Sequence, residues 1–534
     1  MSRDADAVIV GSGPNGLAAA VTLSAAGLRV HVIEGAATAG GGCQTRELTL
    51  PGFQHDVCAA GHPLALASPF FRRFDLAARG VEFGHPEVVF AHPLDGGRAA
   101  VVTRSVQQTA ARLGPDAATY RRLFGPLTAH AEALSDGLLS SMRWPPRHPG
   151  VLAAFARNGV RGASAVARRF RTPEARGLIA GISAHAMMPL TCPPTAGVGL
   201  MFGALAHAVG WPVVAGGSGR IADAMIEAIV AAGGQVETGR WVRSLDELPA
   251  AGAVLLDVTP RGLLSLAGPR LPSGYRDALH RFRYGAGVCK VDFALSGGVP
   301  WANAACRRAG TLHLGGTFAE VAASEEQVAA GGHPDAPYVL VVQPGVADAT
   351  RAPNGQQTVW AYCHVPPGSA VDMTARIEAQ IERFAPGFRD LVLARATRTA
   401  ADEEADNPNY VGGDVGSGLQ TLRQTLARPV ARWNPYRIPI RGVYLCSAST
   451  PPGPGVHGRC GELAALTALR DIFGVRQVPD LGFAQPRCAL SRSSGGTSTV
   501  ILRAVSMTPQ YTIPDTSIEY GLPVKGTLGV RRIA

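Results

Sequence analysis

The run VIVGSGPNGLAAAVTLSAAGLRVHVIEG, residues 8–35, leaves a folding chain few choices. Residues 7–10 are a short apolar run, as a strand buried on both faces should be. Gly11-Ser12-Gly13-Pro14-Asn15-Gly16 follows. Residues 17–26 are rich in Ala and Leu and read as a helix that Gly27 stops. A second apolar strand ends at Glu34. Strand, glycine turn, helix, strand and acid have the spacing of a dinucleotide-binding βαβ unit. In such a unit Gly11 permits the tight turn, Gly13 clears the backbone for a pyrophosphate, and Gly16 lets helix approach strand. Pro14 and Asn15 open the helix, whose free N–H groups and partial positive charge favour phosphate. Glu34 can accept hydrogen bonds from a ribose diol, and its charge disfavours the 2′-phosphate of NADP. The motif alone does not separate FAD from NAD.

At 534 residues the chain is too long for one core, so at least two domains are expected. It is 46% hydrophobic and 17% charged, the balance of a folded globular protein. The formal charge of +10 comes almost wholly from arginine, with lysine only at 290 and 525. The arginines are scattered and no nucleic-acid motif accompanies them, so no nucleic acid partner is expected. A basic rim leaves room for a peripheral contact with anionic lipid. Nine cysteines lie far apart, without CxxC or zinc spacing, and read as free thiols in a reducing compartment. Cys43 and Cys58 come nearest to a redox pair. No metal site is expected. No secretory signal precedes the first strand, which points to the cytoplasm, or to the mitochondrial matrix in a eukaryote. The most apolar stretch, residues 195–217, carries glycines, His207 and Pro212. It reads as a buried helix lining an apolar cavity rather than a membrane span.

Near the C-terminus, residues 441–470 read RGVYLCSASTPPGPGVHGRCGELAALTALR. An apolar strand, a Pro/Gly loop and an Ala/Leu-rich helix follow one another. Paired with the N-terminal fingerprint, this resembles the phytoene desaturase-like branch of the FAD-dependent amine oxidase superfamily. More closely it resembles the group called pyridine nucleotide-disulfide oxidoreductase domain-containing protein 2. The likeness covers roughly residues 5–475. It rests on GSGPNGLAAA, GGGCQT with LPGFQHDV, NPNYVGGDVGSG and STPPGPGVHGRCG. No redox-active disulfide motif is visible.

The resemblance implies an α/β protein: a Rossmann-like FAD-binding domain (GR2-type) with an inserted α+β substrate domain. The FAD domain would comprise residues 1–75, 213–290 and 437–475, and the substrate domain 76–212 and 291–436. The resemblance does not reach the tail, 476–534, whose composition turns Ser/Thr-rich after Pro486 and reads as poorly packed. FAD would be held by Gly11, Gly13 and Gly16 at the pyrophosphate, Glu34 at the ribose, and Gly41 and Gly42 near the ribityl and phosphates. Val242, on a strand running from about 236, would meet adenine. Val456 and His457 would start the helix aimed at the flavin. Two departures stand out: Cys43 where many relatives carry a basic residue, and Ser447-Ala448 where many carry Gly-Asp. Ser447 can still bond the ribityl chain, more weakly than a carboxylate.

The activity implied is a dehydrogenase or desaturase taking hydride from a bulky apolar, isoprenoid- or lipid-like small molecule. The alternatives are an amine oxidase-type enzyme using oxygen and a regulatory flavoprotein with little turnover. His457 is the catalytic candidate, with a capping role as its rival. Lys290 is expected in a strand-edge salt bridge or near the flavin. Asp402, Glu403, Glu404 and Asp406 read as a solvated face, His185 with Met187 and Met188 as core packing or cavity lining, and Asp414 as a turn or a contact to the flavin or its loop. An amine oxidase should carry an aromatic cage, and aromatics, at 6%, do not cluster in the sequence.

Overall fold

The computed structural model describes residues 5–140 and 146–482. The fingerprint strand Ala7–Val10 is hydrogen-bonded on both edges, which is why its residues are uniformly apolar. It is central in a five-stranded parallel sheet ordered Val443–Leu445, Ala253–Leu256, Ala7–Val10, Val30–Ile33, Gln235–Glu237. Three distant stretches of chain thus build one sheet. Helix Pro14–Ala25 follows the glycine turn, with proline in its first turn. It packs against the C-terminal helix Arg459–Ile472. The two backbones nearly touch: a Cβ at Gly461 would lie 1.8 Å from the Asn15 carbonyl oxygen.

The second sheet has seven strands, in the order Val392–Arg398, Gly287–Leu295, Gln357–Val365, Val339–Val342, Ala309–Leu314, Val88–Leu94, Arg98–Val102. Its pairs are antiparallel except Ala309–Leu314 with Val88–Leu94. Side chains alternate between its two faces. Cys289, Val291 and Phe293 pack with Ile377 and Phe384 of helix Thr374–Phe384. Val288, Leu340, Val342, Trp360 and Tyr362 turn the other way, toward helices Pro173–Ser183 and Thr195–Ala208. That second face is the one the site uses.

The architecture is the α/β class implied by the sequence, with three differences in detail. Gly287–Leu295 lies wholly in the seven-stranded sheet, so a boundary at 290 cuts a strand; the break falls before 287. The strand expected through Val242 ends at Glu237 and gives way to a loop. The start of the tail is packed: Leu481 is buried, and its carbonyl accepts a 2.9 Å hydrogen bond from Arg79. Residues 483–534 lie outside the described residues. The apolar stretch from 195 forms helix Thr195–Ala208, and no described helix is long and apolar enough to cross a membrane.

Candidate active site

A cavity of about 990 Å³ runs from the glycine turn, past the loop at 240–243, to the inner face of the seven-stranded sheet. At its nucleotide end Glu34 is held rigidly. Its Oε2 accepts from the Ser12 N–H (2.8 Å) and hydroxyl (2.6 Å), and its Oε1 from the Ala36 N–H (2.8 Å). Oε1 thus keeps a lone pair for a ribose hydroxyl. Gly13 is the N-cap of the fingerprint helix and supplies no side chain to bond its N–H groups. Gly41, at φ +54°, crosses so close that its Cβ would lie 2.9 Å from the Gly13 Cα. Side chains on either glycine would fill the groove a pyrophosphate needs. Pro14, Gly11 and Gly42 line the same groove. Gly16 lies beneath it, with its N–H donated to Asp257 Oδ2 at 2.8 Å. Asn15 is buried there with its Oδ1 unpartnered among the described residues.

Asp257 was not among the expected site residues. It follows strand Ala253–Leu256, next to the central strand, and a Cβ at Gly13 would come within 2.8 Å of its Oδ2. Burial pushes its pKa up to about 7, the Gly16 N–H pulls it down, and the Glu34 charge raises it again. An acid just past the carboxyl end of a parallel strand is the available sequence signal, since ligands bind in the crevice there.

Val242 lines the cavity from the loop, beside half-exposed Trp241, whose ring packs on Gly35. Ser447 and Val456 also line it. His457 does not. Its Nε2 donates to the Gly453 carbonyl (3.1 Å) and its Nδ1 accepts from the Arg459 N–H (3.1 Å). Burial lowers its pKa to about 4. Both ring nitrogens are thus spent on the turn before helix Arg459–Ile472, which starts after Gly458 in the left-handed region. His457 is a capping residue, and the catalytic assignment is corrected accordingly.

The acids expected on a solvated face divide. Asp402 completes a capping box with Thr399, and Glu404 accepts from the Gly412 N–H. Glu403, however, is 1% exposed, lines the cavity, and pairs with Arg398 at 2.9 Å. Burial raises its pKa to about 7. Asp406 takes the other arm of Arg398 at 3.1 Å. Lys290 is an interior-strand residue on the cavity wall, ion-paired with Asp292 two positions on and 5.6 Å from the Trp360 ring centre. Asp292 Oδ1 lies 3.5 Å from His55, whose pKa burial lowers to about 4. Asp414 accepts from the N–H groups of Gly285, Gly416 and Gly418, a turn role. The described cysteines are free; Cys58 faces the cavity, and burial raises the pKa of both Cys43 and Cys58.

Aromatic rings do cluster in space. Phe202 and Trp211 lie 5.1 Å apart, His185 and Trp211 5.3 Å, and Trp360 and Tyr362 5.0 Å, all on the cavity wall. They come from separate helix, loop and strand segments, so sequence neighbourhood does not reveal them.

The description NAD(P)-binding Rossmann-like domain matches residues 9–74. Among solved structures, putrescine oxidase bound to putrescine superposes with a TM-score of 0.55 at 19% identity, over 88% of this chain and 99% of that one. Fold, cavity and likenesses together define a Rossmann-type oxidoreductase built for a flavin or nucleotide cofactor. Along most of its length the chain is similar to rat pyridine nucleotide-disulfide oxidoreductase domain-containing protein 2, at 26% identity over 88% of this chain and 94% of that protein. A shorter likeness, 28% identity over 23% of this chain and 26% of the other, is to 4,4'-diapolycopen-4-al dehydrogenase of Metabacillus indicus.

Proposed function

We propose that the chain is an FAD-dependent dehydrogenase or desaturase acting on a bulky, mainly apolar, isoprenoid- or lipid-like substrate. One observation carries this: a single cavity joins the dinucleotide groove to an aromatic and aliphatic chamber on the second sheet. The five-stranded sheet and its helices would hold the cofactor, and the seven-stranded sheet the substrate. The groove fits FAD: Gly13 and Gly41 leave it open, the N-cap Gly13 brings no side chain to the helix start, and Glu34 is fixed for a ribose. FAD, when bound, supplies a hydride acceptor. The chain's part is to orient and to keep the site dry. Val288, Leu340, Val342 and Phe202 offer apolar surface against which a substrate body excludes water. Lys290, held by Asp292, places a cation on the same wall.

The clustered rings favour a second reading, an amine oxidase-type enzyme, because a cation can rest on aromatic faces. Anaerobic mixing of the purified yellow protein with apolar alcohols, polyenes and amines separates the two. Bleaching of the flavin band by the first two groups supports the proposal, and bleaching by amines alone supports the alternative. Gly13→Val protein should purify colourless; full flavin content in that variant would refute the FAD assignment.

A further inference from the structure

Within the aromatic chamber one pair of side chains does not serve apolar packing. His185 lies on the cavity wall against Phe202 and Trp211, and its Nε2 is 2.9 Å from Nε2 of His313. His313 belongs to strand Ala309–Leu314, is fully buried, and has no hydrogen-bond partner at Nδ1 among the described residues. Phe90 and Tyr338 pack on its ring. Burial lowers the pKa of His185 to about 3 and that of His313 well below its ordinary value, so both rings are neutral at pH 7.

A neutral imidazole carries one N–H and one bare nitrogen. Two facing Nε2 atoms therefore share one proton, and two arrangements exist. If His185 donates, His313 must carry its own proton on Nδ1, a buried N–H with no acceptor. If His313 donates, its Nδ1 is a bare lone pair, and His185 carries its proton on Nδ1. Orphaned buried N–H groups are rarer in proteins than under-satisfied acceptors. The second arrangement is therefore favoured, and it leaves His185 with a free N–H at the chamber wall.

We infer that His185, oriented by His313, is a substrate-binding hydrogen-bond donor, and that the substrate carries a neutral carbonyl-type oxygen on its otherwise apolar body. This rests on the cavity being the substrate site, as proposed above. A neutral acceptor matches better than a carboxylate, because the histidine pair brings no charge and an unpaired buried anion is costly. His313 acts through His185 and is a positioning residue.

Equilibrium dialysis of the FAD-loaded protein against acetylnaphthalene and its isostere isopropenylnaphthalene tests the inference without turnover. The two probes differ only in C=O against C=CH₂. The ketone should bind about three- to tenfold more tightly, the range of one neutral hydrogen bond. His185→Phe should bring the ratio to about one, and His185→Asn, which keeps an N–H donor, should restore part of it. Equal affinities in the wild-type protein would overturn the inference, as would a ratio unchanged in His185→Phe. Flavin content, measured in the same samples, reports separately on the cofactor assignment.

Discussion

Asp257 lies where a pyrophosphate would meet the fingerprint helix, and its protonation bears on both folding and cofactor binding. Its pKa is raised from 3.8 to about 7, chiefly by burial. The folded protein thus holds this proton more tightly than the unfolded chain does. The stability linked to it is full below about pH 4 and is lost as pH rises through about 7. A phosphate lying on Gly13 adds negative charge nearby and favours the protonated acid further. FAD affinity should therefore fall as pH rises above about 7, by at most about tenfold per pH unit for one linked proton. Asp257→Asn should flatten that dependence. Flavin fluorescence titrations across the range check both, and a wild-type dissociation constant independent of pH would remove Asp257 from the linkage. Glycines and Glu34 were legible in the sequence because the fingerprint ties each to a backbone requirement. Asp257 and Glu403 were not, since their burial depends on chain arriving from far away. His457 misled for a related reason: its position near a helix start was right, but the ring turns toward the loop carbonyl of Gly453.

At the scale of elements, the contact between helices Pro14–Ala25 and Arg459–Ile472 joins the segment after the central strand of the five-stranded sheet to the segment after its edge strand Val443–Leu445. The approach depends on Gly461, whose Cβ would meet the Asn15 carbonyl oxygen at 1.8 Å, a backbone atom that cannot rotate aside. Gly461→Ala must push the helices apart. Overpacking of this kind costs about 1–3 kcal/mol or more. Because Asn15 and Gly16 open the fingerprint helix, the shift should also weaken cofactor binding. Thermal melts with and without added FAD measure both; an unchanged melting temperature would show that the helices separate freely. The parallel strands were readable from their apolar runs, and their assembly from three segments followed from the resemblance. The strand that the resemblance implies over 236–242 stops short, because pairing with Val30–Ile33 ends at Glu237 and the chain leaves the sheet before Val242. The aromatic chamber was illegible for a different reason: its rings meet across a helix, a loop and two strands.

For the whole molecule, the disposition of the sheets bears on where electrons enter. A pyridine nucleotide reductase needs a second crevice for NADH or NADPH beside the one that holds flavin. The best remaining candidate in the sequence is Gly216-Gly217-Ser218-Gly219, which opens helix Gly219–Ala231. That turn is already filled: the Gly216 N–H donates to Asp348 (2.8 Å), the Ser218 N–H to Asp56 (2.7 Å), and the Gly219 N–H to Thr45 (3.1 Å). Its helix leads into Gln235–Glu237, an edge strand of the same five-stranded sheet, so it adds no second nucleotide fold among the described residues. The N–H groups a phosphate would need are bonded to protein, and Asp56 and Asp348, both paired with Arg351, place carboxylates beside them. NADH and NADPH should therefore reduce the bound flavin slowly or not at all, and an apolar substrate should reduce it faster. Anaerobic stopped-flow mixing, followed at the oxidised-flavin absorbance, compares the three directly. Rapid bleaching by NADPH alone would mean that the nucleotide reaches the flavin through the substrate chamber, and the direction of electron flow proposed for this protein would be reversed.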